Sequence, residues 1–202
     1  MVRREFGFTL IELMVTLVVL GVVLAVAIPS FNDQIRNNKS MTLGSDFIAA
    51  LNFARTESVK RAARVSICPS INKTTCATAT DWAKGWIVFV DSAAADSATT
   101  PVIASTPGTI LRYWPLTDPE INVAFAAAGT IAAGNVKSGQ ALVIPATTAV
   151  NFVRFSALGT LAKVSNNSTV TFKLHVSNCT GFNTNIVSIG VAGLLSTDYV
   201  AC

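Results

Sequence analysis

Residues 7–28 read GFTLIELMVTLVVLGVVLAVAI, an apolar run interrupted by one charge, Glu12. A helix of about twenty residues, rising ~1.5 Å per residue, crosses the hydrocarbon core of a bilayer, so residues 8–28 are expected to form a helix able to span one. Arg3 and Arg4 precede the run, and the positive-inside rule places them in the cytoplasm with the long C-terminal part outside. A secretory signal peptide carries its apolar stretch ahead of a small-residue cleavage site; here the glycine that could be cut, Gly7, comes first. A carboxylate within such a segment costs several kcal/mol unless paired, which makes Glu12 a candidate functional group by default. Pro29 follows directly, and a proline inside a continuing helix removes one backbone hydrogen bond and predicts a bend.

The chain has 202 residues, room for one head of ordinary size beyond this segment. Its 51% apolar content and mean hydropathy of +0.53 are high, but the excess is concentrated near the N-terminus. The formal net charge of +4, of which a leader carrying Arg3, Arg4 and Glu5 would remove a part, is too mild to argue nucleic acid by itself. Cys68, Cys76, Cys179 and Cys202 all lie beyond the apolar run, on one side of any membrane it crosses. An even count in an exported head predicts two disulfides among the possible pairings. Pairing Cys68 with Cys76 closes a short loop, and Cys179 with Cys202 pins the C-terminus. Zinc is the alternative, but no CxxC pair occurs and the only histidine is distant. No metal and no cofactor is expected.

After Pro29 the helical period resumes: Phe31, Ile35, Leu43, Phe47, Leu51, Ala54, Ser58 and Ala62 recur at three- and four-residue steps. The stretch NDQIRNNKS at its start is too polar for a core and is expected to be covered only by neighbouring subunits. From residue 64 the pattern turns to alternating or short continuous apolar runs, predicting strands at 64–68, 85–90, 109–114, 120–125, 150–155, 169–176 and 185–191 of a mainly antiparallel sheet. In 169–176, Val170, Phe172, Leu174 and Val176 share one face, opposite Thr169, Thr171, Lys173 and His175. Residues 92–108 and 128–140 read as loops. The organisation expected is a leader over 1–7, a membrane half of the helix over 8–28, an amphipathic half over 29–63 and a β-rich head over 64–202.

The string Gly7-Phe8-Thr9-Leu10-Ile11-Glu12, behind a short basic leader, resembles the signal of type IV prepilins and type II secretion pseudopilins. The resemblance implies cleavage between Gly7 and Phe8 by the prepilin peptidase, N-methylation of Phe8, and pairing of the freed ammonium with Glu12 of the same or a neighbouring subunit during filament assembly. The plainer reading, in which Glu12 lies at headgroup level near the helix end, stays open. Pro29 matches a proline of many pilins where the helix bends. The implied fold is α+β, the type IV pilin fold: a long N-terminal helix, membrane-spanning in its first half, packed on a C-terminal antiparallel β-sheet head.

The stretch FIAALNFARTESVKRAARVSICPS, with DWAKGWIVFVD after it, is similar to the subgroup of pseudopilin GspH and the minor pilins FimU and FimT, through Ala54, Arg55, Glu57, Ser58, Cys68, Trp82, Gly85, Trp86, Val88, Phe89 and Asp91. This implies a low-copy subunit at the tip of a type IV pilus, supporting assembly and twitching motility, with other minor and major pilins, the prepilin peptidase and the inner membrane as partners and the head in the periplasm before assembly. The alternatives are a DNA-binding competence pilin and a GspH-type pseudopilin of type II secretion. FimT-like proteins that bind DNA carry Gly-Arg-x-Arg near the C-terminus; here the matching residues are Gly193-Leu194-Leu195-Ser196, and no Lys or Arg follows Lys173. Nucleic acid is therefore not an expected partner, and Lys60, Arg61 and Arg64 remain the candidate basic group, more simply a solvated helix end. The Trp cluster reads as core. His175 has no acid or nucleophile beside it and is expected at the surface; no catalytic motif is present, so no catalytic residue is assigned.

Overall fold

The computed structural model describes residues 7–119, 121–127, 150–164 and 170–202. Residues 1–6 of the predicted leader, the predicted loop at 128–140 and the predicted strand residues 120 and 169 lie outside them. The chain divides into two compact units, Met1–Ile35 and Arg36–Cys202. One helix, α1, runs Leu10–Arg61 and remains helical through residue 29. It stops one residue short of the predicted stripe, because Ala62 turns left-handed at φ 48°. There the Ala62 N–H donates to the Val59 carbonyl and the Ala63 N–H to that of Ser58, the pair of bonds that closes a Schellman end.

Strands β1 (Val65–Pro69), β2 (Gly85–Val90), β3 (Ile110–Pro115), β5 (Val153–Phe155) and β6 (Leu161–Val164) form one sheet in the order β3-β2-β1-β5-β6. Strands β4 (Ile121–Ala127), β7 (Val170–Val176), β8 (Thr184–Ile189) and β9 (Leu195–Val200) form a second, in the order β4-β7-β8-β9. The pairings in both are antiparallel. The single sheet expected from the sequence is thus two. The fold is the α+β pilin type, a long helix on an antiparallel β head.

Leu43, Phe47, Ala50, Leu51 and Ala54 of α1 are buried in one core with residues of both sheets, among them Ile67, Trp86, Val88, Val153, Phe172 and Val187. Phe47 sits edge-on to Trp82, Trp86 and Phe172 at centroid distances of 5.7, 5.0 and 4.7 Å, so the Trp cluster is core. Phe31 and Ile35, predicted on the same stripe, are 70% and 49% exposed. The β1 and β2 residues that alternate with these, Cys68, Ile87 and Phe89, form a second cluster with Phe152. Burial on both faces explains why β2 reads as a continuous apolar run.

The polar stretch before Leu43 is also used within the head. Asn37 Nδ2 donates to Thr180 Oγ1 at 3.1 Å, and its Oδ1 accepts the Thr180 N–H at 2.9 Å. The Ser40 hydroxyl donates to the Asn183 carbonyl, and Asn185 Nδ2 donates to the Ser40 carbonyl at 2.7 Å. A Cβ on Gly44 would fall 2.2 Å from Asn185 Cγ, so only glycine lets α1 approach β8 this closely. Asn37 to Ser40 therefore do not depend on neighbouring subunits alone for partners, as the sequence reading held.

Candidate functional site

Thr9 caps α1: its Oγ1 accepts the Glu12 N–H at 3.3 Å, and Thr9-Leu10-Ile11-Glu12 has the spacing of a capping box. Glu12 in the first turn also complements the positive end of the helix dipole. Around it the surface is greasy on every side: Phe8, Leu10, Ile11, Leu13, Met14 and Val15 are each more than half exposed, and the pattern continues to Ile28. The Thr16 hydroxyl donates to the Leu13 carbonyl at 2.8 Å, so it needs no partner from outside the helix. Phe8 lies two residues before α1, and Glu12 and Pro29 lie on it, about 25 Å apart by helical rise.

In the head, Lys60 and Arg61 both pair with Glu57, at 3.3 and 2.6 Å. The Arg61 hydrogen bond, helped by Lys60 and opposed by desolvation, holds the Glu57 carboxyl below the ordinary carboxylate range. Arg64 donates to the Ala93 carbonyl at 2.6 Å and pairs with Asp96 at 3.3 Å. Each member of the candidate basic group therefore meets a carboxylate inside the chain, Lys60 and Arg61 sharing Glu57 and Arg64 meeting Asp96. The segment Gly193-Leu194-Leu195-Ser196 lies in the β8–β9 hairpin, where the Gly190 N–H donates to the Leu194 carbonyl at 3.0 Å. Gly193 stands at φ +73°, and a Cβ there would meet the Gly159 carbonyl oxygen at 2.2 Å.

Disulfides join Cys68 to Cys76 and Cys179 to Cys202, across sequence separations of 8 and 23. Asn72 Oδ1 accepts the N–H groups of Thr74 and Thr75 inside the first loop. A groove of about 680 Å³ opens between that loop and residues 101–110, lined by hydroxyl-bearing, proline and small apolar residues with no ionisable side chain. The head also holds a buried network that the sequence reading missed. Arg154 and Asp91, both fully buried, pair at 2.7 Å. Asp91 also accepts from Ser66 Oγ and from the N–H groups of Ala93 and Val102. Arg154 donates onward to the carbonyls of Asp96, Ala98 and Thr100, pinning the 92–102 loop. The available signal was an arginine inside an apolar strand, NFVRF.

His175 is half-buried, with a buried Nδ1 that finds no hydrogen-bond partner among the described residues, so the expected surface histidine is corrected. Its strand lies between β4 and β8 and is covered on both edges. Desolvation, with the Lys173 charge adding to it, pushes its pKa below the usual 6.5. Among the described residues no group of three His, Cys, Asp or Glu side chains is placed to hold a metal ion.

The model of the family described as type II transport protein GspH matches residues 44–193, most of the head. The chain belongs to the GspH family. It is a pilin-like minor subunit, and a second model, the prokaryotic N-terminal methylation motif, matches residues 2–28. Two crystal structures of the type IV minor pilin FimU from Pseudomonas aeruginosa strain PAO1 align with this GspH-family chain. The form in space group P21 has 20% identity and a TM-score of 0.49, covering 80% of this chain and 89% of that one. The P65 form has 20% identity and a TM-score of 0.47, covering 78% and 90%. No curated protein matches the chain. The family match starts at Gly44, the glycine that seats the helix on β8, and ends at Gly193 in the last hairpin.

Proposed function

We propose that this chain is a minor type IV pilin that helps initiate a pilus and sits at its tip, supporting assembly and twitching. The single observation that carries the reading is the all-round apolar surface of residues 8–28, broken by one carboxylate at the helix start. Such a surface is stable only in lipid or against other helices of its kind, and the two environments succeed each other when a membrane subunit enters a filament. The methylation motif over residues 2–28 supports cleavage between Gly7 and Phe8 and methylation of Phe8. Domain roles follow the same reading: residues 1–7 are the leader, 8–28 anchor the chain in the inner membrane and then pack in the fibre, 29–63 continue the helix, and 64–202 form a periplasmic head.

Cleavage frees an ammonium at Phe8, and burial of Glu12 among apolar helices makes that ammonium its natural partner. Pairing across subunits sets their axial register. Glu12 stabilises its own helix start in either case, so the two roles separate experimentally. Glu12→Gln keeps a capping-box side chain but removes the charge; it is expected to leave a membrane-inserted, cleaved protein that is recovered from sheared filaments at a small fraction of the wild-type level. Wild-type recovery would remove the proposed role.

A second reading, a minor pseudopilin of type II secretion, is favoured by the description of the matching family. Deleting the gene distinguishes the two: loss of surface pili and twitching supports the first, and trapped exoprotein with normal pili supports the second. DNA binding draws no support from the charge pattern, since Lys60, Arg61 and Arg64 are answered by Glu57 and Asp96.

A further inference from the structure

Helix α1 begins at Leu10, and residues 7–9 ahead of it carry no regular structure. The bond proposed to be cut, between Gly7 and Phe8, therefore lies just outside the helix. One side chain sets that boundary. In an α-helix each carbonyl accepts the N–H four residues on, so a helix wound back through Phe8 would give the Glu12 N–H to the Phe8 carbonyl. One residue further, the Ile11 N–H would go to the Gly7 carbonyl. Instead Thr9 Oγ1 accepts the Glu12 N–H at 3.3 Å, while the Thr9 carbonyl accepts the Leu13 N–H at 3.2 Å. Thr9 thus takes the donor that would draw Phe8 into the helix. The pull to extend is strong in an apolar setting, where an unpartnered N–H is costly and an uncapped helix end takes the next carbonyl it can reach. Gly7 resists joining a helix, but Phe8 stands between it and Thr9. A Cβ at Gly7 would meet nothing within 4 Å among the described residues, and its φ lies outside the left-handed range, so no steric constraint at Gly7 fixes where α1 starts.

We infer that Thr9 is a positioning residue for leader removal: by capping α1 it keeps the Gly7–Phe8 peptide unwound, in the form a peptidase can take hold of. This rests on the cleavage proposed above, which the methylation-motif match over residues 2–28 supports. In that step a water oxygen adds to the Gly7 carbonyl carbon and the bond from that carbon to the Phe8 nitrogen breaks. Both protons of the water end on the nitrogen, leaving a Gly7 carboxylate and a Phe8 ammonium. A carbonyl wound into a helix is occupied by its own hydrogen bond and screened by the next turn. Extension of α1 by two residues would therefore lower the share of chains ready to be cut. Thr9 acts through the backbone and not on the reacting atoms. The other threonine of the apolar segment, Thr16, spends its hydroxyl on the Leu13 carbonyl inside a formed turn and has no such effect on where the helix starts.

The test follows leader removal from the full-length chain by pulse-chase in cells that carry the prepilin peptidase. Thr9→Val keeps the branched shape of the side chain and loses the capping oxygen; it is expected to slow removal about fivefold, the population change that the loss of one N-cap brings. Thr9→Ser and Thr9→Asn restore a capping oxygen, and both are expected to be processed at close to the wild-type rate. Rescue by asparagine separates capping from recognition of a hydroxyl by the enzyme. In the uncut chain held in bilayer nanodiscs, the backbone carbonyl chemical shifts of Gly7 and Phe8 are expected to move towards helical values in Thr9→Val and to stay in place in Thr9→Ser. Wild-type processing of Thr9→Val, failure of serine or asparagine to restore the rate, or carbonyl shifts that do not move would each overturn the inference. Failure of the leader reading shows separately, as a wild-type chain that is never cut.

Discussion

Arg154 ties the irregular 92–102 loop to the five-stranded sheet. Its charge is paired with Asp91, and its remaining donors close the 92–102 loop over the outer face of the five-stranded sheet. Truncating it leaves the Asp91 carboxylate buried without a cation, and breaking such a pair costs roughly 3–5 kcal/mol. Arg154→Ala is therefore expected to lower unfolding free energy by about that much in denaturant titrations, and a loss below about 1 kcal/mol would contradict the assignment. His175 acts through pH. Its depressed native pKa means that below the usual 6.5 the unfolded chain takes up a proton that the native chain does not. Stability is then expected to fall as pH drops through 6.5 towards the native value and to be complete above it. His175→Gln should flatten that slope in melts between pH 7 and pH 5. Neither role was legible: an arginine in an apolar strand and a histidine opposite an apolar face both look solvated until the neighbouring elements are known.

At the scale of elements, periodicity located the helix and most strands because their apolar residues face one shared core. It missed β6 and β9. β6 is short, and β9 carries Ser196, Thr197, Asp198 and Tyr199 all exposed, so it holds its place by backbone pairing to β8 rather than by a buried face. Nor could periodicity divide the strands into two sheets, since partner choice is a long-range property. The clasp of α1 through Asn37 and Ser40 was hidden for another reason: hydrogen bonds to a loop leave no repeat in the sequence. That loop is tied by Cys179–Cys202, and the Cys202 N–H donates to the Gly181 carbonyl at 2.9 Å. Replacing both cysteines by serine is expected to cost roughly 2–4 kcal/mol and to raise amide exchange selectively in residues 37–44. Unchanged exchange there would show that the clasp stands without the disulfide.

For the whole molecule, the head has its own core, but the apolar surface of residues 8–28 has no partner among the described residues and so calls for lipid or other helices of its kind. This was the most legible part of the sequence, because a span of that length with one acid admits few physical settings. Which machine the subunit serves was not legible, since that is decided by contacts with other proteins, which leave no period in a single sequence. The proposed role begins with cleavage between Gly7 and Phe8. Intact mass and N-terminal sequencing of the protein recovered from the membrane test it most directly. The expected chain begins at Phe8 carrying one N-methyl group; a chain that still begins at Met1 would contradict the account.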